Sequence, residues 1–464
     1  MRKRCRLRAG ILGTLTICAL QAVAAAAPAS ASSQPTSAAS EDWASTQVAD
    51  QIETVAPGAF AASYGDVAVR DATDITVYVT RDDAALDAYV SSLASQQEVH
   101  VSYVTVPYSH QQLNGLIDRV VGNQTALAAQ GVRITALIPD VPDGTIDVIL
   151  ETPSATTPAA SAADTSAAAG PTASQANAEA ALTGLYGSGR FTVESYTAEP
   201  GTPLDSFCTD GCRMDDYPSF YGGDSITSPA GHGCSSGFAV REPSGAPAVL
   251  TAGHCATPGT VEYVNCFFGT QACPASADCP RSGPPAYCPV RELGTVGTYQ
   301  SPTSGDPYDF EAIDMPSGES STYYVYGGAA NSRTPPIYTV TGYEAKPSGA
   351  CCLTVDGAVT GETRYNYVYN DDTAYNYGYG LVANLGMVYN STDQYEEICS
   401  DGDSGGPVYE HVGSGSSVLA NGTIVASGPN FQLPNTNPPV YVYACFFQEM
   451  YEVLGGLGLT LVAA

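Results

Sequence analysis

Asp401-Gly402-Asp403-Ser404-Gly405-Gly406-Pro407 sets one serine among glycines and aspartates and closes the run with a proline. A serine hydroxyl is a weak nucleophile near neutral pH and needs an adjacent base to take its proton. An imidazole suits that task because its pKa lies near the working pH. A buried carboxylate must then fix the imidazole tautomer and stabilise the charged ring. The glycines permit a tight turn whose successive N–H groups can face a developing oxyanion, and the expected donors are the backbone N–H groups of Gly402 and Ser404. Leu250-Thr251-Ala252-Gly253-His254-Cys255 supplies the imidazole, and Tyr308-Asp309-Phe310-Glu311-Ala312-Ile313 supplies a carboxylate. Read singly, His254 could be a core histidine, the serine run an ordinary turn, and Asp309 one of several acids beside Asp306 and Asp314. Read together they point to nucleophilic catalysis. Both strong motifs occur once, each near a cysteine, Cys255 or Cys399.

The 464 residues suggest about three units at ~150 residues per domain. Acidic residues number 47 and basic ones 17, a net charge of −30, and Lys3 and Lys346 are the only lysines. No basic face exists to neutralise phosphates, which excludes nucleic acid as a partner. Apolar residues make up 44%, with 30 tyrosines, 47 glycines and 32 prolines, a mixture that reads as β-rich and turn-rich in the second half. No apolar run beyond the N-terminus is long enough for a bilayer helix. Of 14 cysteines, twelve fall between Cys208 and Cys445. That clustering reads as a disulfide framework, whereas the lack of any CxxC pair argues against zinc. No metal or cofactor is expected.

Residues 1–31 combine a basic start, an apolar stretch and Ala29-Ser30-Ala31, which reads as a secretory signal cut after Ala31. Residues 32–45 are Ser/Ala-rich and expected to be loose. From 46 to 152 strand and helix patterns alternate without cysteine. Strands are expected over 75–81, 99–106, 132–138 and 145–151, and a helix over 83–93. Ser109-x-x-Gln112 reads as a capping box opening a helix that runs to about Gln130, with Gly131 as its stop. An Ala/Ser/Thr/Pro tract over 153–173 reads as a tether. A helix over 175–185 and a strand over 191–195 complete an α/β (α+β) region that ends near 199. From 200 to 464 helical periodicity gives way to short Val/Ile/Tyr/Thr runs, up to a last helix at 448–454.

The motifs place the chain close to a known family. Thr251–Cys255 and Gly402–Pro407 resemble the histidine and serine motifs of the chymotrypsin-like serine peptidases, above all the secreted bacterial streptogrisin and α-lytic protease group. Gly222-Gly223-Asp224-Ser225-Ile226 followed by Gly233–Val240 resembles the mature start of that group. Phe446-Phe447-Gln448 with Leu454 and Leu459–Val462 resembles its closing strand and helix. The resemblance implies an all-β, trypsin-like double β-barrel over 200–464, preceded by a removable pro-segment that assists folding. It implies a secreted, monomeric serine endopeptidase acting on protein or peptide substrates. His254 would be general base and acid, Asp309 its orienting partner and Ser404 the nucleophile. Ser427 and Gly428 would pair with an extended substrate backbone. Cys234 and Cys255 would form a disulfide beneath the histidine loop. In that group the aspartate before the nucleophile needs a buried cation, here expected to be Lys346 beside Asp403, with Arg333 and Arg364 as rivals. Departures from the pattern are Glu311, the fragment Cys208–Cys212, an insertion carrying Cys266, Cys273, Cys279 and Cys288, and adjacent Cys351 and Cys352, expected to find separate partners. Likeness to the group implies a preference for large apolar or aromatic side chains. Two rival readings are a catalytically silent double barrel that binds a partner, and a protease confined to processing itself.

Overall fold

The structure, a computed structural model, describes residues 44–150, 173–195, 213, 216, 219–228, 233–267, 287–330, 332, 335–413, 415–436 and 438–464. The expected signal segment, nearly all of the loose segment, the tether, Arg333 and the cysteines 208, 212, 273 and 279 lie outside the described residues.

Residues up to 195 form two small layers. Strands Tyr64–Asp71, Asp74–Val79 and His100–Thr105 make a three-stranded sheet in chain order. Helices Ala44–Ala59 and Ala84–Gln97 cover it, burying Val48, Ile52, Leu86 and Val90 against Val67, Ile75 and Val77. Asp83 caps the second helix by accepting from the N–H groups of Ala85 and Leu86. The expected capping box is present at Ser109 and Gln112, but the helix it opens stops at Gly122. Asn123 interrupts it before a short helix Gln124–Ala129, and Gly131 then turns the chain at φ +81°.

The second layer does not close on itself. Strands Ile134–Asp140, Thr145–Leu150 and Phe191–Ser195 continue a twelve-stranded sheet of the second half, where Leu137 pairs with Ala374 and Ala136 with Tyr375. Ile134–Asp140 and Thr145–Leu150 bury residues on both faces and need cover on each. One face packs Leu137, Ile146 and Val148 under Leu113, Ile117 and Leu182, in a core shared with Ala374 and Leu381. The other packs Ala136, Ile138 and Ile149 against Tyr375, Val382 and Phe446. The single α/β unit expected from the sequence is therefore two layers, the second sharing its core with the β half.

That half is the expected double barrel. Its first sheet has eight strands, among them Pro247–Thr251, Phe310–Asp314 and Gly233–Ser235. The second includes Gly361–Asn376, Leu381–Asn390, Pro407–His411, Ser417–Gln432 and Tyr441–Glu449. The closing helix is Met450–Leu457, two residues later than expected, and Gly458 ends it at φ +66°. The chain then returns to the first sheet, where Leu461 pairs with Val240. Cys234 is bonded to Cys255 and Cys399 to Cys445. Cys351 and Cys352, joined by a cis peptide bond, have Cα atoms 2.9 Å apart. Cys266 and Cys288 stand opposite each other on antiparallel strands.

Lys346 is buried, and its ammonium donates to Asp50 at 2.9 Å and to Glu410, with Glu344 at 3.8 Å. It ties the first helix to the second barrel. Removing one partner of a buried charge cluster strands the others, at a cost of about 3–5 kcal/mol. Lys346→Met in the intact chain is expected to lower the unfolding free energy by about that amount, measured by chemical denaturation in a Ser404→Ala background.

Candidate active site

Antiparallel pairing brings the histidine and aspartate segments together. Strand Pro247–Thr251 pairs with Phe310–Asp314 so that Thr251 faces Glu311. The chain leaving Thr251 toward His254 and the chain arriving from Asp309 therefore meet at one sheet end. Gly253 makes the approach possible, because a β-carbon there would overlap the Gln300 carbonyl and lie 2.9 Å from the Phe310 nitrogen. His254 Nδ1 stands 2.5 Å from Asp309 Oδ2, and Asp309 is wholly buried. Asp306 instead accepts from the Ser301 N–H at 3.2 Å, and Asp314 lies further along the strand. The extra Glu311 is buried inside the first barrel with both oxygens unpartnered among the described residues. Burial raises its pKa well above the usual carboxylate range, reinforced by Glu262 and Asp309.

Ser404 arrives from the second barrel on a loop bolted to the first. The Ser235 N–H donates to the Ser404 carbonyl at 2.8 Å, and the Ser235 hydroxyl to the Gly402 carbonyl at 2.9 Å. Thr251 Oγ1 donates to the Ser235 carbonyl at 2.8 Å. Gly402 and Gly405 adopt φ of +95° and +87°, the left-handed region that favours glycine. A β-carbon on Gly405 would also overlap Thr251 Oγ1 and the Ser235 carbonyl. Among the described residues neither Gly402 nor Ser404 donates its N–H to a backbone carbonyl.

His254 and Ser404 line one cleft of about 420 Å³, with no hydrogen bond between their side chains among the described contacts. Its other walls include Tyr375, Tyr377, Tyr379, Asp401 and residues Ile424–Ser427. Ser427 lines the cleft and its carbonyl accepts from the Tyr375 hydroxyl at 3.5 Å, whereas Gly428 is not among the lining residues.

The Asp403 expectation needs correction. Asp403 Oδ1 accepts from the N–H groups of Val359 at 2.7 Å and Thr360 at 3.0 Å. Its Oδ2 accepts from the Thr360 hydroxyl at 2.5 Å and the Ser400 N–H at 2.8 Å. Four neutral donors occupy the positions a lysine would need, Lys346 is held by Asp50 and Glu410, and Arg364 pairs with Glu362. Burial pushes the Asp403 pKa up, and these donors oppose that push. The buried cation of this region is Arg213, which the sequence reading missed. It lies 2.5 Å from Asp356 Oδ1 and donates to the Gly328 carbonyl at 2.9 Å. Burial works against its charge, but Asp356, and after it Tyr409 and Asp403, hold its pKa above the usual range. The run Tyr375-Asn376-Tyr377-Gly378-Tyr379, three phenols around a glycine turn, was the available signal for the aromatic wall.

No family model matches the chain. "Serine protease 2" from Streptomyces fradiae is 28% identical over 189 residues, covering 40% of this chain and 86% of the relative. The chain resembles the bacterial chymotrypsin-like serine proteases. It has a chymotrypsin-like double-barrel fold. Similar solved structures are Thermobifida fusca Protease A (24% identity, 53% of this chain and 98% of that one, TM-score 0.35) and an α-lytic protease homologue, N4 (19%, 52% and 97%, TM-score 0.33).

Gly405→Ala tests the junction on which this site is built. Forcing a non-glycine residue into that backbone region costs about 1–3 kcal/mol before the overlap with Thr251 and Ser235 is counted. The expected outcome is loss of casein hydrolysis and a lower melting temperature by circular dichroism.

Proposed function

We propose that the protein is a secreted serine endopeptidase, made as a precursor whose N-terminal segment assists folding and blocks the site until removed. In this mechanism His254 Nε2 takes the proton of Ser404 Oγ as that oxygen attacks the substrate carbonyl, and Asp309 stabilises the charged ring through Nδ1. The N–H groups of Gly402 and Ser404 receive the oxyanion. His254 returns the proton to the leaving amine, and a water molecule, activated in the same way, releases the acyl group from Ser404. An extended substrate adds as a strand along Val425–Gly428, and the aromatic and aliphatic cleft walls suit apolar side chains. The observation that carries the reading is the 2.5 Å contact of His254 with a fully buried Asp309, in a cleft shared with Ser404.

Export rests on the N-terminal signal pattern. Among the described residues no helix is long and apolar enough to cross a membrane. The pro-segment role is supported by how much of the β half residues 44–195 cover. Besides the shared sheet, Asn114 donates to Asp372 at 2.8 Å, the Leu381 N–H to Gln124 at 2.7 Å, and Asn435 to Asp147 at 2.8 Å.

Two experiments test these readings. An active-site phosphonate probe is expected to label the secreted wild-type protein and not Ser404→Ala, and casein clearing to follow the label. Equal labelling of the variant would refute Ser404 as the nucleophile. The second concerns pH. Glu53 and Asp66 of the pro-segment are buried near Asp371, Asp372, Glu449 and Glu452 of the protease. Burial first, then mutual repulsion, raises these pKa values, to about 6 for Asp371 and about 7 for Asp372. Carboxyls with raised values favour the docked state below their ordinary range near ~4, and that contribution is lost as pH rises through about 6 to 7. His110, whose pKa burial lowers, opposes docking only on the acid side. Once the Ser404→Ala chain is cut at the junction by an added protease, the pro-segment is expected to co-elute with the protease at about pH 5 and to separate at about pH 8 on size exclusion. Identical elution at both pH values would sink this reading.

A further inference from the structure

Tyr377 lies just beyond strand Gly361–Asn376, in the turn leading to Leu381–Asn390, and thus belongs to the second barrel. Its hydroxyl donates to Asp309 Oδ2, the same oxygen that receives His254 Nδ1. Asp309 Oδ1 is buried and has no partner among the described residues. Two donors therefore account for every side-chain hydrogen bond this carboxylate receives there, one from the imidazole and one from a phenol 68 residues away in sequence. The Tyr377 ring stands 5.4 Å from the His254 ring, tilted by 59°, and Tyr379 stacks on the same imidazole at 5.1 Å.

The turn carrying Tyr377 is fixed on both sides. The Gly378 N–H donates to Asn376 Oδ1 at 3.0 Å, and Asn376 Nδ2 donates to the Ile134 carbonyl at 3.3 Å. A carboxylate held by one donor can rotate about its Cβ–Cγ bond, whereas a second donor from another element fixes its plane. A hydrogen bond to the charged form also favours that form and reduces its basicity. Burial and the Asp309 charge both push the Tyr377 phenol upward, which keeps it the protonated donor.

We propose that Tyr377 is a positioning residue of the catalytic triad, its hydroxyl fixing the Asp309 carboxylate so that the His254 ring is held toward Ser404. This rests on the reading of His254, Asp309 and Ser404 as the triad. The hydroxyl couples the barrels at the site itself, since histidine and aspartate come from the first and tyrosine and serine from the second. It also moderates the pull of Asp309 on the imidazolium. Without it the carboxylate keeps one donor and attracts a charged ring more strongly.

Tyr377→Phe, expressed in the full-length chain and assayed as the secreted, processed protein, removes one oxygen and keeps the ring. With a chromogenic peptide anilide as substrate, kcat is expected to fall about tenfold, with KM little changed. The acid limb of the kcat/KM profile is expected to move upward by about half a pH unit or more. Replacing Tyr377 with 3-fluorotyrosine, a stronger donor of the same shape, should move that limb the other way and serves if the phenylalanine variant does not fold. A purely packing role would leave the limb in place, so an unmoved limb in whichever variant folds overturns the proposal. Ser404→Ala is assayed alongside. Undiminished turnover by that variant would remove the triad reading and this proposal together, whereas an inactive Ser404→Ala with an unmoved Tyr377 profile removes the proposal alone.

Discussion

At Gly405 the serine loop of one barrel presses against the backbone of the other so closely that no side chain fits between them. Everything chemical in the molecule follows from that contact. The Ser235 N–H and hydroxyl hold the loop at two carbonyls, and Thr251 holds Ser235 in turn. Thr251 is also the last residue of the strand that delivers His254. A short chain of bonds thus runs from the strand before His254 to the Ser404 loop through the barrel junction. The disulfide between Cys234 and Cys255 closes the same neighbourhood covalently. By the chain-entropy account a loop of about 20 residues adds ~3 kcal/mol, most of it by restricting the unfolded chain.

The scarcity of cations shapes the rest of the interior. With 17 basic residues against 47 acidic ones, buried carboxylates outnumber the partners available. Lys346 serves Asp50, Glu344 and Glu410 at once, and Arg213 is committed to Asp356. The remaining acids are handled in two ways. Asp403 and Asp309 keep neutral donors, backbone N–H and hydroxyl groups that satisfy a charge without a counter-ion. Among the described residues Glu262 and Glu311 have no such donors, and burial shifts them toward the neutral form, Glu262 to about 8. The same solution at the face between the two halves makes that face sensitive to pH, because its acids become ordinary once water reaches them.

The contrast between what was legible and what was not has a physical basis. The strand and helix segments of the first half were readable because each carries its own local signal: Asp83 as a cap, Ser109 with Gln112 as a box, and Gly131 as a stop. The helix Ala44–Ala59 carries no such signal. Pro57 lies inside it and neither end turn carries the charges that suit a helix dipole, so its apolar face is recognisable only against the sheet it covers. His254 and Ser404 stood out through glycines that the backbone requires. Arg213 and Tyr377 did not, because their partners lie 143 and 68 residues away and no spacing rule links them. Lys346 was misassigned for the same reason. Sequence identifies a cation fit for burial, but several carboxylates compete for it, and only packing decides among them.

Long-range contact is also the reason a separate N-terminal segment suits this fold. His254, Asp309 and Ser404 are far apart in sequence, and pairings of that kind repay their loop-closure entropy late in folding. The hairpin of Ile134–Asp140 and Thr145–Leu150, by contrast, is local and can form early. In the proposed folding role it offers a formed edge to which Gly361–Asn376 adds through Ala374 and Tyr375. That addition places the start of the turn in which Tyr377 stands. Gln124 and the Ile134 carbonyl hold the two ends of the turn. The element most dependent on the N-terminal segment for its position is therefore the one whose hydroxyl reaches the buried aspartate. In the proposed role, folding assistance and assembly of the site become one event, and once the barrels have locked at Gly405, the disulfides and the packing of Tyr375 against Phe431 and Phe446 remain to hold the start of the turn without the template.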